Sequence, residues 1–379
     1  MSVWSRSVVA TAVLAASVAQ AAPESSGESL SDRVERLESL IAAQATAPES
    51  AVGATEIGAY AELHLNRLDN ENGPDKNEID FHRFVVMLHH EFTDRLRFVS
   101  ELELEHSLAG EGKEGEVELE QAFVEYDLNA GTRVRAGLFL IPVGILNETH
   151  EPDTFYGVER NPVESNIIPT TWWEAGAGVG GELAPGWSYD FAVHSGLFLE
   201  PGSGDFKVRS GRQKVSEARA DTGAATGRVR FTGIAGLELG AAVNYQSDLA
   251  QDQAGDSIDA FLYEVHAAYR SGPFGVRALY ASWQIDDAIN MVAAGADEQS
   301  GFYVEPSYRL CERWGLFARY SEWDNQAGAG NDTEYAQMDV GVNYWLHPRV
   351  VFKLDYQSQD APAGASEYEG VNLGVGLSF

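Results

Sequence analysis

From Glu56 to the last residue, Phe379, apolar and polar side chains exchange places at every step through a series of short segments. The closing stretch "EGVNLGVGLSF" puts Val371, Leu373, Val375, Leu377 and Phe379 on one side and Gly370, Asn372, Gly374, Gly376 and Ser378 on the other. "VVFKLDYQ" sets Val350, Phe352, Leu354 and Tyr356 against Val351, Lys353, Asp355 and Gln357, and "GWSYDFAVH" sets Trp187, Tyr189, Phe191 and Val193 against Ser188, Asp190, Ala192 and His194. A period of two is that of a β-strand with one apolar face. The same dyads run through residues 237–246, 261–270 and 302–310.

A soluble sandwich alternates too, with its apolar face turned inward. Two features point instead to a barrel in a membrane. Aromatic residues collect at the ends of the apolar stripes (Tyr245, Tyr269, Tyr280, Trp314, Tyr320, Tyr344), where interfacial girdles belong. The links also alternate in length. Strands are expected at 56–65, 78–92, 94–106, 116–128, 132–140, 173–183, 186–195, 218–231, 236–246, 257–270, 273–284, 299–310, 312–323, 334–346, 349–358 and 368–379. Between them run short turns such as "NAG" at Asn129, "APG" at Ala184 and "SGP" at Ser271, each followed by a longer connection. Short turns on one rim and long loops on the other mark an outer-membrane barrel. The spacing predicts about sixteen strands, with fourteen or eighteen also compatible with the boundaries. In lipid every backbone donor and acceptor needs an internal partner, so such a sheet must close. A cylinder of that size is too wide for side chains to fill and leaves an aqueous lumen. The fold class is therefore all-β, a transmembrane antiparallel β-barrel preceded by a short N-terminal helix.

The N-terminus fixes the compartment. Arg6 lies in a short positive region, Val8 to Val18 is apolar, and Ala19-Gln20-Ala21 offers a cleavage site. Residues 1–21 read as a signal peptide, too short in its apolar run to span a bilayer. Residues 22–55 read as a periplasmic helix and linker, and 56–379 as the barrel. In the helix, Leu30, Val34, Leu37 and Ile41 form an a/d seam suited to a coiled coil, although two heptads do not hold alone. Packing of this helix on its own chain is the equal alternative. The single cysteine, Cys311, excludes an intrachain disulfide. A net charge of -32 disfavours nucleic acid, whose phosphates require a basic footprint. That charge reads first as a solvated acidic surface and second as acidic loops that bind divalent cations.

One link stands apart. "LIPVGILNETHEPDTFYGVERNPVESNIIPTTWWE", Leu140 to Glu174, carries Pro142, Pro152, Pro162 and Pro169 together with Ile145, Leu146, Phe155, Tyr156, Val158, Ile167 and Ile168. Long loops without regular structure are usually functional or disordered. Prolines and apolar residues worth burying predict that Pro142 to Trp172 packs against the inner wall and narrows the pore. Asn147, Glu148, His150, Glu151, Asp153, Tyr156, Glu159 and Arg160 then fall at or near the constriction. An ordered extracellular cap or an oligomer contact is the alternative. On the wall, alternation turns Arg83, Arg97, Arg133, Arg135, Arg228, Arg230 and Arg277 inward, along with Arg309, Arg319 and Lys353. It turns in an equal acidic set that includes Glu101, Glu103, Glu125, Asp127, Glu305, Asp339 and Asp355. A mixed lining suits any water-filled channel. The sharper expectation is that Arg133, Arg135, Arg228 and Arg230 line the constriction and attract anions.

"ELELEHS", "EVELEQAFVEYDL", "RVRAGLFLIPVGILNETHEPDTFYGVERNPVESNIIPTTWWEAGAGVGGEL" and the terminal "GVGLSF" resemble the outer-membrane porins related to the phosphate-selective porin O and P family. The likeness is strongest from Glu101 to Leu183. It implies a sixteen-stranded homotrimeric channel of the bacterial outer membrane, in contact with lipid, whose third extracellular loop folds inward to sort small hydrophilic solutes and ions. Relatives also carry a short N-terminal coiled coil, and Phe379 resembles the signal read by the barrel assembly machinery. Phosphate selectivity in that family depends on an arginine ladder and clustered lysines. This chain has 26 lysines and arginines in all, and its loop has Arg160 and no lysine, so a general or anion-passing channel fits better than a phosphate-specific one.

No cofactor, metal or catalytic residue is expected. "GAGVGG" at Gly176–Gly181 matches G-x-G-x-x-G, but a dinucleotide site needs a helix after it, and another strand follows. Its glycines are expected to leave room on the inner wall for a loop. His64, His106 and His150 read as isolated, and the nine histidines show no metal spacing. A lipase-like barrel enzyme and a surface adhesin or receptor are the competing classes. The chain has no G-x-S-x-G elbow.

Overall fold

The computed structural model describes residues 53–200, 206–253, 257–286 and 294–379. The signal segment and the helix expected around Leu30–Ile41 lie outside the described residues. Sixteen strands follow in chain order: β1 (Thr55–Asn70), β2 (Lys76–Thr93), β3 (Leu96–Glu105), β4 (Val117–Asn129), β5 (Thr132–Leu140), β6 (Trp173–Ala184), β7 (Trp187–His194), β8 (Ala224–Ile234), β9 (Leu237–Gln246), β10 (Ala260–Ser271), β11 (Phe274–Ile285), β12 (Glu298–Arg309), β13 (Trp314–Asp324), β14 (Tyr335–His347), β15 (Val350–Asp360) and β16 (Tyr368–Ser378). Each pairs antiparallel with the next, and β16 returns to β1 in a register from Tyr60↔Ser378 to Asn70↔Tyr368. The sheet is a closed barrel without a free edge. No described helix is long and apolar enough to cross a membrane; the strands do the crossing.

Burial runs opposite to that of a water-soluble protein. On β16 Leu373 is 44% exposed while its neighbour Asn372 is 1% exposed. The same inversion separates outward Leu354 from inward Asp355 on β15, and outward Phe191 from inward Asp190 on β7. Only a lipid-facing exterior accepts such a wall. Aromatic pairs ring its outer face at the short-link rim, with centroids 4.8 Å apart for Trp187–Phe231, 4.8 Å for Phe274–Tyr308 and 4.6 Å for Trp314–Tyr344. Tyr263–Tyr280 and Phe302–Tyr320 sit toward the opposite rim.

The rims differ as expected. One carries the links 94–95, 130–131, 185–186, 235–236, 272–273, 310–313 and 348–349. The other carries the longer ones, of which 141–172 and 195–223 are the largest. Two boundaries depart from the alternation. β1 continues to Asn70, where Asn66, Leu68 and Asn70 still pair with Asn372, Gly370 and Tyr368. There the exposed outward residues are Arg67 and Asp69 and the buried inward ones are Asn66, Leu68 and Asn70, so the apolar-outward pattern stops before hydrogen bonding does. β8 begins at Ala224 and not at 218, because amides ahead of it are taken by side chains instead of a neighbouring strand: Arg219 donates to Gln213 Oε1 at 2.7 Å and Thr222 to Gln251 Oε1 at 3.0 Å.

Candidate functional site: the lumen and its inward loop

Residues 141–172 leave β5, enter the barrel and return to β6. Asn147 ties the two ends together: its Nδ2 donates to the carbonyls of Ile141 (2.8 Å) and Trp172 (3.0 Å), and its Oδ1 accepts from the Trp172 amide at 2.6 Å. A one-turn helix, α1 (Val163–Asn166), follows Pro162. Glu164 accepts the amides of Ile145 and Leu146 at 2.6 and 2.7 Å, and the Tyr303 hydroxyl at 3.0 Å. Ile141, Val143, Val163, Ile167, Ile168 and Trp172 are fully buried with Phe139, Trp283 and Tyr303 of the wall. The Trp283 indole donates to the Ile167 carbonyl at 3.0 Å.

The middle of the loop reaches strands far away in sequence. The Val158 amide donates to Asp355 at 2.7 Å, Ser378 donates to Asp153 at 3.0 Å, and Tyr156 packs between Phe317 and Trp345. Lys353 Nζ lies 3.7 Å above the Phe155 ring. Gly374 and Gly376 on β16 make the approach feasible, since a side chain there would meet Val158 at 3.1 Å and Pro152 at 2.5 Å.

Most of the polar residues expected at the constriction therefore grip the wall. Glu148 pairs with Arg228 of β8. His150 meets Tyr60, Glu101 and Glu120, and Glu159 meets His64 at 3.2 Å and Asn66 at 3.1 Å. Asn147 and Tyr156 are buried in the anchors above. Glu151, Asp153 and Arg160 remain half-buried. Burial opposes ionisation of Glu148 and Glu159, yet Arg228 beside one and His64 beside the other hold both carboxyls well below the usual range. Burial pushes Glu151 up, and burial next to Arg83 brings Arg160 down to about 10.

All seven expected wall arginines point inward, and carboxylates claim most of them. Arg83 pairs with Glu62 at 2.6 Å, and Arg97 with Asp127 at 2.8 Å and with Glu125. Arg133 and Arg228 share Asp190 at 3.1 and 2.7 Å. Arg135 stacks on Phe139, and Arg277 donates to the Thr154 carbonyl at 2.8 Å. Alternation had already placed Asp190 on a polar face, but nothing in the sequence names its partners. On β6, Gly178 and Gly180 leave room for Arg135 and for the Arg133–Asp190 pair. The glycine run thus accommodates arginines of the neighbouring strand; the loop presses on β16. Beneath the loop, toward the short-link rim, lies a chamber of about 660 Å³ into which Arg230, Arg270, Arg277, Arg309, Glu238 and Glu305 project.

The histidine expectation needs correction. His64 stacks on His82 at 4.6 Å, and His82 and His106 both reach Asp80, at 3.2 and 2.9 Å. His150 joins two buried carboxylates. None of the three is isolated, because strands distant in sequence carry their partners.

A closed sixteen-stranded wall and a loop folded into its lumen define a channel of the outer membrane. Residues 178–364 match the family model of the Gram-negative porins. Over 334 residues the chain is 31% identical to an uncharacterised protein of Aquifex aeolicus (strain VF5), covering 80% of this chain and 75% of that protein. Among solved structures it resembles the anion-selective porin from Comamonas acidovorans (TM-score 0.62, 14% identity, 86% of this chain and 100% of that one). It also resembles the channel DcaP of Acinetobacter baumannii (TM-score 0.61, 15% identity, 87% and 99%) and OmpF of Salmonella typhi (TM-score 0.62, 13% identity, 86% and 98%). The chain belongs to the Gram-negative porins of the bacterial outer membrane.

Proposed function

We propose that the chain is a passive diffusion channel for small hydrophilic solutes, with residues 141–172 as its constriction and a modest preference for anions. The observation that carries this is the loop's position inside the lumen, with an arginine-bearing chamber below it. Arg230, Arg270, Arg277 and Arg309 stand on β8, β10, β11 and β12 around that chamber, while Glu148 and Asp190 are spent on Arg228. Fixed charge at a narrow point attracts counter-ions and repels co-ions. Inorganic phosphate is among the anions that pass, without a dedicated site, since no lysine lies on the loop. The assembly is a homotrimer, as is one similar structure, the in-vitro folded OmpT of Vibrio cholerae. A cleaved leader and recognition of Phe379 by the assembly machinery complete the path to the membrane.

Purified protein in a planar bilayer should give stepwise conductance, with the reversal potential under a potassium chloride gradient displaced toward the chloride value. Absence of steps overturns the channel reading. Displacement toward potassium overturns the anion preference alone. Hydrolysis of a lipid ester that disappears on replacing one serine would instead mark an enzyme.

A further inference from the structure

We propose that Glu101, Glu120 and His150 hold a divalent transition-metal cation of the zinc class, which fastens the constriction loop to the inner wall. His150 Nε2 lies 3.6 Å from Glu101 Oε1 and 3.6 Å from Glu120 Oε2. These separations exceed hydrogen-bond length. They match the edge of a tetrahedron with metal–ligand bonds of about 2.0–2.2 Å, which is roughly 3.3–3.6 Å.

The surroundings orient each donor. His150 Nδ1 lies 3.1 Å from the Asn147 carbonyl and donates to it, which turns the Nε2 lone pair toward the carboxylates. Gln121 donates to Glu101 Oε2 at 2.6 Å and leaves Oε1 to face the histidine. Glu120 is 1% exposed, and its Oε2 accepts no hydrogen bond. A register shift between Glu101↔Gln121 and Leu102↔Leu119 leaves Glu120 as the extra residue of a β-bulge, with both Glu120 and Gln121 facing inward. The Tyr60 hydroxyl has one hydrogen and two acceptors, Glu101 Oε1 at 3.0 Å and His150 Nε2 at 2.8 Å. Acceptors outnumber donors at this point, and a cation supplies what is missing. The set of one imidazole and two carboxylates selects zinc-like ions over magnesium, which prefers oxygen alone.

The rival occupant is a proton on Nε2, and the experiment separates the two. Chelator-stripped protein at neutral pH is titrated with zinc chloride, and with magnesium chloride as control. We expect one equivalent of zinc, a rise of several degrees in Tm, and an anomalous peak between the three donor atoms in zinc-soaked crystals. Glu120→Gln and His150→Gln should each lose at least about tenfold in affinity, while His106→Gln, in the separate Asp80 group, keeps the equivalent. Undiminished affinity in both Glu120→Gln and His150→Gln, or an anomalous map without that peak, overturns the proposal. The map is measured on the unaltered protein and decides the matter even if a variant does not fold. Stepwise conductance of the stripped protein is a separate readout, so the channel reading stands or falls independently.

Discussion

Asn147 shows how much one side chain can fix. It closes the neck of the loop with three hydrogen bonds: two reach carbonyls that also accept backbone amides, Ile141 from Val143 and Trp172 from Ile141, and the third satisfies the buried Trp172 amide. Replacing it with alanine should cost about 2–3 kcal/mol, since each bond contributes about 1 kcal/mol and an orphaned buried group costs more. Thermal unfolding of the purified protein, read as its shift in electrophoretic mobility, checks this. The Glu148–Arg228 pair is buried, and Glu148→Ala leaves Arg228 with Asp190, which Arg133 already shares, so it should destabilise by about 2 kcal/mol, more than Arg160→Ala does. The pH dependence follows from the same carboxyls. Glu148 and Glu159 have lowered values in the folded chain, so their stabilisation is present above the ordinary glutamate value of about 4.3 and is lost as pH falls below it. Conductance should hold steady from neutral pH down to about 4.3 and turn larger or noisier in more acidic buffer. A record that changes already near neutrality would contradict this.

At the level of strands and loops, Gly374 and Gly376 turn β16 into a seat for the loop. Gly376→Leu should push Pro152 away and raise single-channel conductance, whereas Leu373→Ala, on the lipid face of the same strand, should leave it unchanged. Deleting residues 146–169 should enlarge conductance several-fold if the loop is the constriction. The strands were legible because lipid and water impose opposite demands on successive side chains, and Asn372 beside Leu373 shows that demand directly. The inward loop was legible from Ile167, Ile168 and Trp172, which a loop hanging in water would not keep. The end of β1 was not, since Arg67 and Asp69 put charge on the outward face while Asn66, Leu68 and Asn70 stay buried inside. Nor was the bulge at Glu120, whose "ELEQ" reads as ordinary alternation. Contacts across the lumen were out of reach altogether: Arg228 finds Glu148, and Asp355 finds Val158, through closure of the cylinder and not through spacing.

For the molecule as a whole, charge is distributed by side. β1 to β4 bring Glu62, Glu101, Glu103 and Glu120 inward with Arg83 and Arg97 among them, while β8 to β12 bring Arg228, Arg230, Arg270, Arg277 and Arg309 with Glu238, Glu264 and Glu305. A solute therefore passes between walls of mixed charge, one with an acidic excess and the other with a basic one. Replacing Arg230 and Arg277 together with alanine should move the reversal potential toward that of potassium, with little change in conductance at high salt, where screening shortens the reach of fixed charge. The loop's contacts farthest from its stem in sequence fall on the first strand and the last two, His64 and Asn66 on one side and Asp355 and Ser378 on the other. Those strands meet only when the ring is sealed. Biogenesis and selectivity are thereby linked: a half-inserted intermediate has no finished sieve, and the strand that zips the cylinder shut also sets the aperture.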